Sequence, residues 1–142
     1  MVGDTVSHLL RSKKHHVASV ERDATVTYAV CLMNHHDVGA VLVMHNGQLA
    51  GIMTERDVLR RVIEPGLDPR ITFVHEVYTP QPRTIAADES IARAVDIMIE
   101  GNFRHLPVMV DGNVRGTLSM RDLTRWLMAG AEARKGRVPE AR

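Results

Sequence analysis

Residues 39–61 read GAVLVMHNGQLAGIMTERDVLRR, and residues 104–126 read RHLPVMVDGNVRGTLSMRDLTRW. The two stretches align without a gap at an offset of 65 residues. Val43 matches Val108, Gly47 matches Gly112, Gly51 matches Gly116, Asp57 matches Asp122 and Arg60 matches Arg125. The same register holds upstream, where Asp23, Ala29, Val30 and Met33 match Asp88, Ala94, Val95 and Met98. Val26 with Ile91, Val41 with Leu106 and Thr54 with Ser119 are conservative pairs. A constant offset from about residue 19 to residue 127 marks an internal repeat, because chance similarity drifts.

Each copy carries the same local signals. Val26, Ala29, Val30 and Met33 are spaced as one face of a helix, and Ile91, Ala94, Val95 and Met98 repeat the spacing. A short apolar run follows, AVLVM or LPVMV, without alternation, as in a strand buried on both faces. Asn46-Gly47 and Asp111-Gly112 then signal a tight hairpin, because both residue types tolerate positive φ. A second strand and a second helix complete the unit, with Arg60 and Arg125 placed late in that helix, where cations are favourable. A short extended segment at Ser19-Val20 or Thr84-Ile85 opens each copy. The predicted fold is α+β, α/β-like in its units: two β-α-β-β-α repeats packed about a pseudo-two-fold axis, since units this small must share a core.

Residues 6–66 form the first repeat, 67–82 a linker and lead-in, 75–130 the second repeat, and 131–142 a polar tail expected to fray. Pro65, Gly66, Pro69, Pro80 and Pro82 interrupt regular structure between the copies, although ITFVHEV at 71–77 is apolar enough to lie against one of them.

Composition narrows the function classes. The 142 residues are 44% hydrophobic with net charge +1, so neither a nucleic-acid nor a membrane partner is expected. Aromatic residues are only 4%, too few for a base-stacking platform. No apolar run reaches the roughly 20 residues of a membrane span, and the N-terminal stretch lacks a secretory pattern. The single cysteine, Cys31, reads as a small core residue in a reducing compartment, and the expected location is cytoplasmic.

TERD and SMRD first read as helix starts. Thr54 and Ser119 cap, and Asp57 and Asp122 follow three residues later as the short acid of a capping box. Two features go beyond capping. A glycine sits three residues before each hydroxyl, inside the strand, where it weakens the strand unless something must approach. The strand-to-helix junction also presents backbone amides to an anion. There an aspartate can grip a ribose diol with both oxygens while the hydroxyl reaches phosphate. In the second copy Arg104 and His105 stand at the mouth of the buried strand, and a guanidinium and an imidazole there suit phosphate. Gly39 and Ala40 hold those positions in the first copy, so the two sites are not equivalent.

These residues resemble a tandem pair of CBS domains, the regulatory module named after cystathionine β-synthase. The resemblance covers about residues 6–129 and rests on the two stretches quoted above, with Phe103 preceding the second, and on VYTPQPRTIAADESIARAVDIM at 77–98. It implies a cleft that binds an adenosine-containing ligand: AMP, ADP, ATP, NADH or S-adenosylmethionine. It also implies a homodimer and a separate effector protein. By the same resemblance Asp57 and Asp122 are the ribose aspartates, and Thr54 and Ser119 the hydroxyls beside them. Arg104 and His105 would meet phosphate. Thr84, Ile85, Leu106 and Pro107 would edge one adenine pocket, and Ser19, Val20, Ala40 and Val41 the other. Thr117 replaces the usual isoleucine or valine, and Leu42 replaces the proline of the second copy. The Asp122 and Arg104 site is the better candidate for occupancy. The competing readings are an interaction module without a ligand, acting through dimerisation, and a small nucleotide hydrolase; the latter is opposed by the lack of a P-loop or acid–base constellation.

The His15-His16 and His35-His36 pairs do not have zinc-ligand spacing, so no metal is expected. The Lys13-Lys14-His15-His16 run reads as a solvated segment, with phosphate contact the alternative. No obligatory cofactor is implied.

Overall fold

The computed structural model describes residues 4–13 and 17–137. The first repeat contains β1 (Ser19–Glu21), α2 (Val26–His36), β2 (Ala40–His45), β3 (Gln48–Thr54) and α3 (Glu55–Val58), preceded by α1 (Val6–Ser12). The second contains β5 (Ile85–Ala86), α4 (Ile91–Gly101), β6 (His105–Val110), β7 (Asn113–Ser119) and α5 (Met120–Arg137). Between them lie a 3₁₀ turn at Val74–Glu76 and the short strand β4 (Thr79–Pro80). Thus the two β-α-β-β-α units form in the predicted order.

In each unit the first strand pairs parallel with the second, and the second antiparallel with the third. Both hairpins turn at the expected residues, with φ of 51° and 75° at Asn46 and Gly47, and 50° and 80° at Asp111 and Gly112. Both also carry a register irregularity at the same place, after Val43 and after Val108. Thr25 and Ser90 cap α2 and α4 through their side chains. These helices end alike, in left-handed Asp37 and Asn102, with Val38 and Phe103 donating back to Met33 and Met98.

The cores are two, one per sheet, and each is completed from outside its own repeat. Val6 and Leu9 of α1 are buried in the second core with Ile91, Met98, Leu106 and Leu118. Val6 and Ser7 donate to the carbonyls of Glu89 and Ala87, and Trp126 of α5 donates to Asp4 at 3.0 Å. The segment after the first repeat does the converse. Val74 and Val77 are buried with Val26, Met33, Val43 and Met53, and Val74 donates to Ala24. Residues 6–12 therefore belong by packing to the second unit, though they precede the first in sequence.

Two arginines stitch the units together. Arg56 donates to the carbonyl of Asn102 at 2.8 Å, and Arg121 to that of Asp37 at 3.1 Å. These are the same bond made twice, because both donor and acceptor are related by the repeat. The arginine of each TERD-like motif thus holds the helix end of the other unit.

Several local expectations are corrected. The prolines do not abolish strand structure, since β4 joins the edge of the first sheet beside Gly51 and Ile52, where a missing proline N–H is tolerated. The helix beginning at Glu55 passes into a π-turn over Leu59–Ile63 and stops at Gly66, with φ of 80°. Its counterpart α5 continues through Arg137, so Arg125 lies early in its helix and the helix extends into the tail, whose residues 138–142 lie outside the described residues. Alanine, glutamate, arginine and lysine there are strong helix formers. Cys31 is exposed, because it lies two residues from both Ala29 and Met33 and so on the opposite face of α2. Met33 and Met98 are buried as expected.

The strand glycines also find their reason here. A Cβ on Gly51 would collide with the Tyr78 ring and the Thr79 carbonyl, and one on Gly116 with the Leu10 side chain. The approach that glycine permits is therefore made by the chain's own lead-in segments. Gly51 faces backbone and Gly116 faces a flexible side-chain end, so the two differ in tolerance. Gly51→Ala should lower unfolding free energy by about 1–3 kcal/mol, as overpacking does, and Gly116→Ala by clearly less. Urea denaturation of both variants checks the order.

Candidate functional site

One broad cleft of about 1070 Å³ opens between the units at the start of α5. The second unit contributes Arg104 and His105 from the entrance of β6, Arg115 and Thr117 from β7, and Ser119, Arg121, Asp122 and Arg125 around the helix start. The first unit contributes Val17 and Ala18 before β1, Asp37 to Ala40 between α2 and β2, and Glu55. Lys13 at the end of α1 completes the wall.

The capping box seen in the sequence is present at this site. Ser119 N–H donates to Asp122 Oδ2 at 2.8 Å, and Asp122 N–H donates to Ser119 Oγ at 3.0 Å. The amide of Met120 donates to the Arg104 carbonyl at 2.9 Å. Two amides of the helix start are thus engaged within the protein, and the anion-attracting role expected of them passes to side chains. Five cationic side chains, Lys13, Arg104, Arg115, Arg121 and Arg125, face three carboxylates, Asp37, Glu55 and Asp122, across the cleft. The balance favours an anionic ligand.

Lys13 is not a solvated residue. Its ammonium donates to Asp122 Oδ2 at 2.8 Å and to the Thr117 carbonyl at 2.6 Å, and its side chain is 20% exposed. Burial alone raises the Asp122 carboxyl, but the Lys13 ammonium and the Ser119 amide outweigh it and hold Asp122 below the usual carboxylate range. His105 behaves oppositely to the phosphate-binding cation expected. Burial lowers its pKa, Glu55 and Asp122 oppose that only in part, and Lys13 and Arg104 add to it. Its surroundings therefore favour the neutral imidazole, which can give or take one hydrogen bond.

The first unit's counterpart is closed. Asp57 is only 7% exposed. It accepts from the Thr54 amide at 3.0 Å and from Thr79 Oγ1 at 3.2 and 3.4 Å, and Arg61 Nε lies 3.6 Å away. Thr54 caps through Asp57 N–H at 3.2 Å. Both carboxylate oxygens of Asp57 are occupied from within. Among the described residues, the contacts of Asp122 all fall on Oδ2.

Of the residues singled out in the sequence, Ala40, Arg104, His105, Thr117, Ser119 and Asp122 meet in the open cleft. Thr54 and Asp57 are together but enclosed. Val20, Val41, Ile85, Leu106 and Pro107 are buried strand residues, four of them in the two cores, rather than walls of the cleft. Ser19 and Thr84 also lie off its wall, exposed and half-buried respectively. The positions one or two residues before Ser19, Val17 and Ala18, border the Asp122 cleft from the opposite unit instead. Glu55 and Asp37 were missed as wall residues, and the approach of Lys13 to Asp122 was not foreseen, because these positions depend on packing between units. Among the described residues no cluster of three metal-ligating side chains occurs. His15 and His16, with Lys14, lie outside the described residues.

Comparison with known proteins agrees with this architecture. The family model for the CBS domain matches twice, at residues 6–64 and 74–129. A mitochondrial CBS domain-containing protein of Arabidopsis thaliana, CBSX3, is 37% identical over 108 residues, 72% of this chain and 52% of the relative. The chain thus spans about half of that relative's length, and 22% of a further Arabidopsis relative. A solved CBS-domain containing protein from Agrobacterium tumefaciens is 29% identical with a TM-score of 0.80, covering 86% of this chain and 98% of that one. A CBS domain protein from Pyrobaculum aerophilum, solved in complex with AMP, shares the fold at 24% identity and a TM-score of 0.75, covering 84% and 89%. With both repeats matched and the paired sheets in place, the chain belongs to the CBS-domain family.

Proposed function

We propose that this chain is a non-catalytic regulatory module that binds an adenosine-containing nucleotide in the Asp122 cleft and passes the signal to a separate partner. The observation that carries the reading is the Asp122 carboxylate at the α5 start, one oxygen committed to Ser119 and Lys13 and the other uncommitted among the described residues, facing a cleft of net positive charge. A carboxylate there suits a ribose diol, and the surrounding guanidinium groups suit phosphate. The AMP complex of the Pyrobaculum protein supports the choice of ligand class at the level of the shared fold. Because the cleft draws its walls from both units, an occupant would bias how they pack, provided it binds two arrangements unequally.

We assign one ligand per chain. Asp57 is enclosed by Thr79 and Arg61, and its role is to fasten the linker onto the first unit. A second reading, an interaction module without ligand, draws on the fact that Lys13 already partners Asp122. We also propose a homodimer. Ile63 and Met128 hold equivalent positions and are 57% and 66% exposed, with Leu59 and Leu127 beside them, an apolar surface suited to a second copy. No helix among the described residues is long and apolar enough to cross a membrane.

Isothermal titration with AMP, ADP, ATP, NADH and S-adenosylmethionine tests the ligand reading, and silence from all five at millimolar concentration favours the interaction module. Asp122→Ala should weaken binding by about tenfold or more, the worth of a charge-assisted hydrogen bond, while the fold persists. Asp57→Ala should leave affinity nearly intact and instead reduce stability. Ile63→Glu with Met128→Glu should convert a dimer to a monomer in light scattering.

A further inference from the structure

Lys13 stands where a ligand's sugar would have to bind. Its ammonium lies 2.8 Å from the Asp122 carboxylate and 2.6 Å from the Thr117 carbonyl. It is delivered by α1, whose Val6 and Leu9 are buried in the second core. The residue at the same offset in the other lead-in is Tyr78, which brings no charge to Asp57. The Asp122 cleft therefore takes its counter-ion from the lead-in segment, whereas Asp57 has Arg61 of its own unit nearby.

We infer that Lys13 is a specificity-determining residue, which makes the cleft prefer phosphorylated ligands over neutral ones by occupying Asp122 until a ligand anion takes it over. This rests on the nucleotide reading of the cleft given above. A sugar diol that grips both Asp122 oxygens competes with the ammonium for Oδ2. Once displaced, Lys13 is a half-buried cation without its carboxylate, which is unfavourable. A ligand that carries a phosphate supplies a replacement partner in the same event. A neutral nucleoside leaves the cation unpaired, and a cationic ligand adds repulsion. The closed Lys13–Asp122 pair thus lowers apparent affinity for every ligand, and only an anionic one recovers the loss. The cleft arginines differ in this respect. They attract phosphate but do not occupy Asp122, so removing one weakens AMP without helping adenosine.

The test is calorimetric titration of AMP and of adenosine into the full chain, its Lys13→Met variant, which keeps length and loses charge, and its Lys13→Arg variant. The wild-type chain should prefer AMP over adenosine by about tenfold or more. Lys13→Met should bind adenosine more tightly than wild type and shrink the preference by about fivefold or more, and Lys13→Arg should retain it. Thermal melts establish that each variant is folded. A folded Lys13→Met chain whose preference stays within about twofold of wild type overturns the inference while leaving nucleotide binding in place. Absence of binding by both ligands to the wild-type chain overturns the nucleotide reading itself, and the inference with it.

Discussion

The architecture depends on an exchange of segments. α1 finishes the second core, and residues 72–80 finish the first. Neither sheet alone buries its apolar face, since three or four short strands with two helices leave too little covered surface. Crossing the lead-ins makes each core conditional on the other unit. It also fixes their relative placement, which the paired Arg56–Asn102 and Arg121–Asp37 bonds then secure at the helix ends. These bonds are individually modest. Their value lies in position, because each ties the first turn of one unit's motif helix to the helix end of the other, and Arg121–Asp37 does so across the cleft.

The same exchange makes the two aspartates differ. Each lead-in passes over the strand glycine of the unit it completes and arrives beside that unit's motif aspartate. In the first unit it arrives as Tyr78 and Thr79, with enough backbone to form β4 and close over Asp57. In the second it arrives as Leu10 and Lys13, a packing contact followed by a single long charged chain. A hydroxyl on a strand seals a carboxylate, whereas a lysine can leave it. The asymmetry between the sites comes less from the motifs, which are nearly identical, than from what the chain lays over them.

Much of the fold was legible because it is written twice. A helix-face pattern, an apolar run, an Asn-Gly or Asp-Gly turn and a capped helix start are local signals, and each recurs 65 residues on. Arg104, His105, Ser119 and Asp122 were readable for the same reason: comparison of the copies isolates what differs. Lys13 was not. Its partner Asp122 is 109 residues away, and no spacing rule reports a contact made by folding α1 onto the second sheet. The strand edges failed similarly. Ile85 and Leu106 were carried over from the family resemblance, but their strands turn them into the core, and the cleft is bordered instead by Val17 and Ala18 from the other unit. The extension of α5 was also hidden because it lies beyond the matched region, and the π-turn because Leu59–Arg61 align with residues in regular helix in the second copy.

Capping and the proposed ligand recognition are compatible, because they call on different parts of the same carboxylate. In both motifs one oxygen accepts the amide of the capping residue, which fixes the side-chain rotamer before any ligand arrives. What remains is the outward oxygen. At Asp57 it is taken by Thr79, with Arg61 nearby, and the motif becomes a structural fastening. At Asp122, among the described residues, it is not taken, and Lys13 shares the inner oxygen with the Ser119 amide. A capping aspartate is therefore a preorganised ligand group, and whether it serves as one depends on the segment that crosses it.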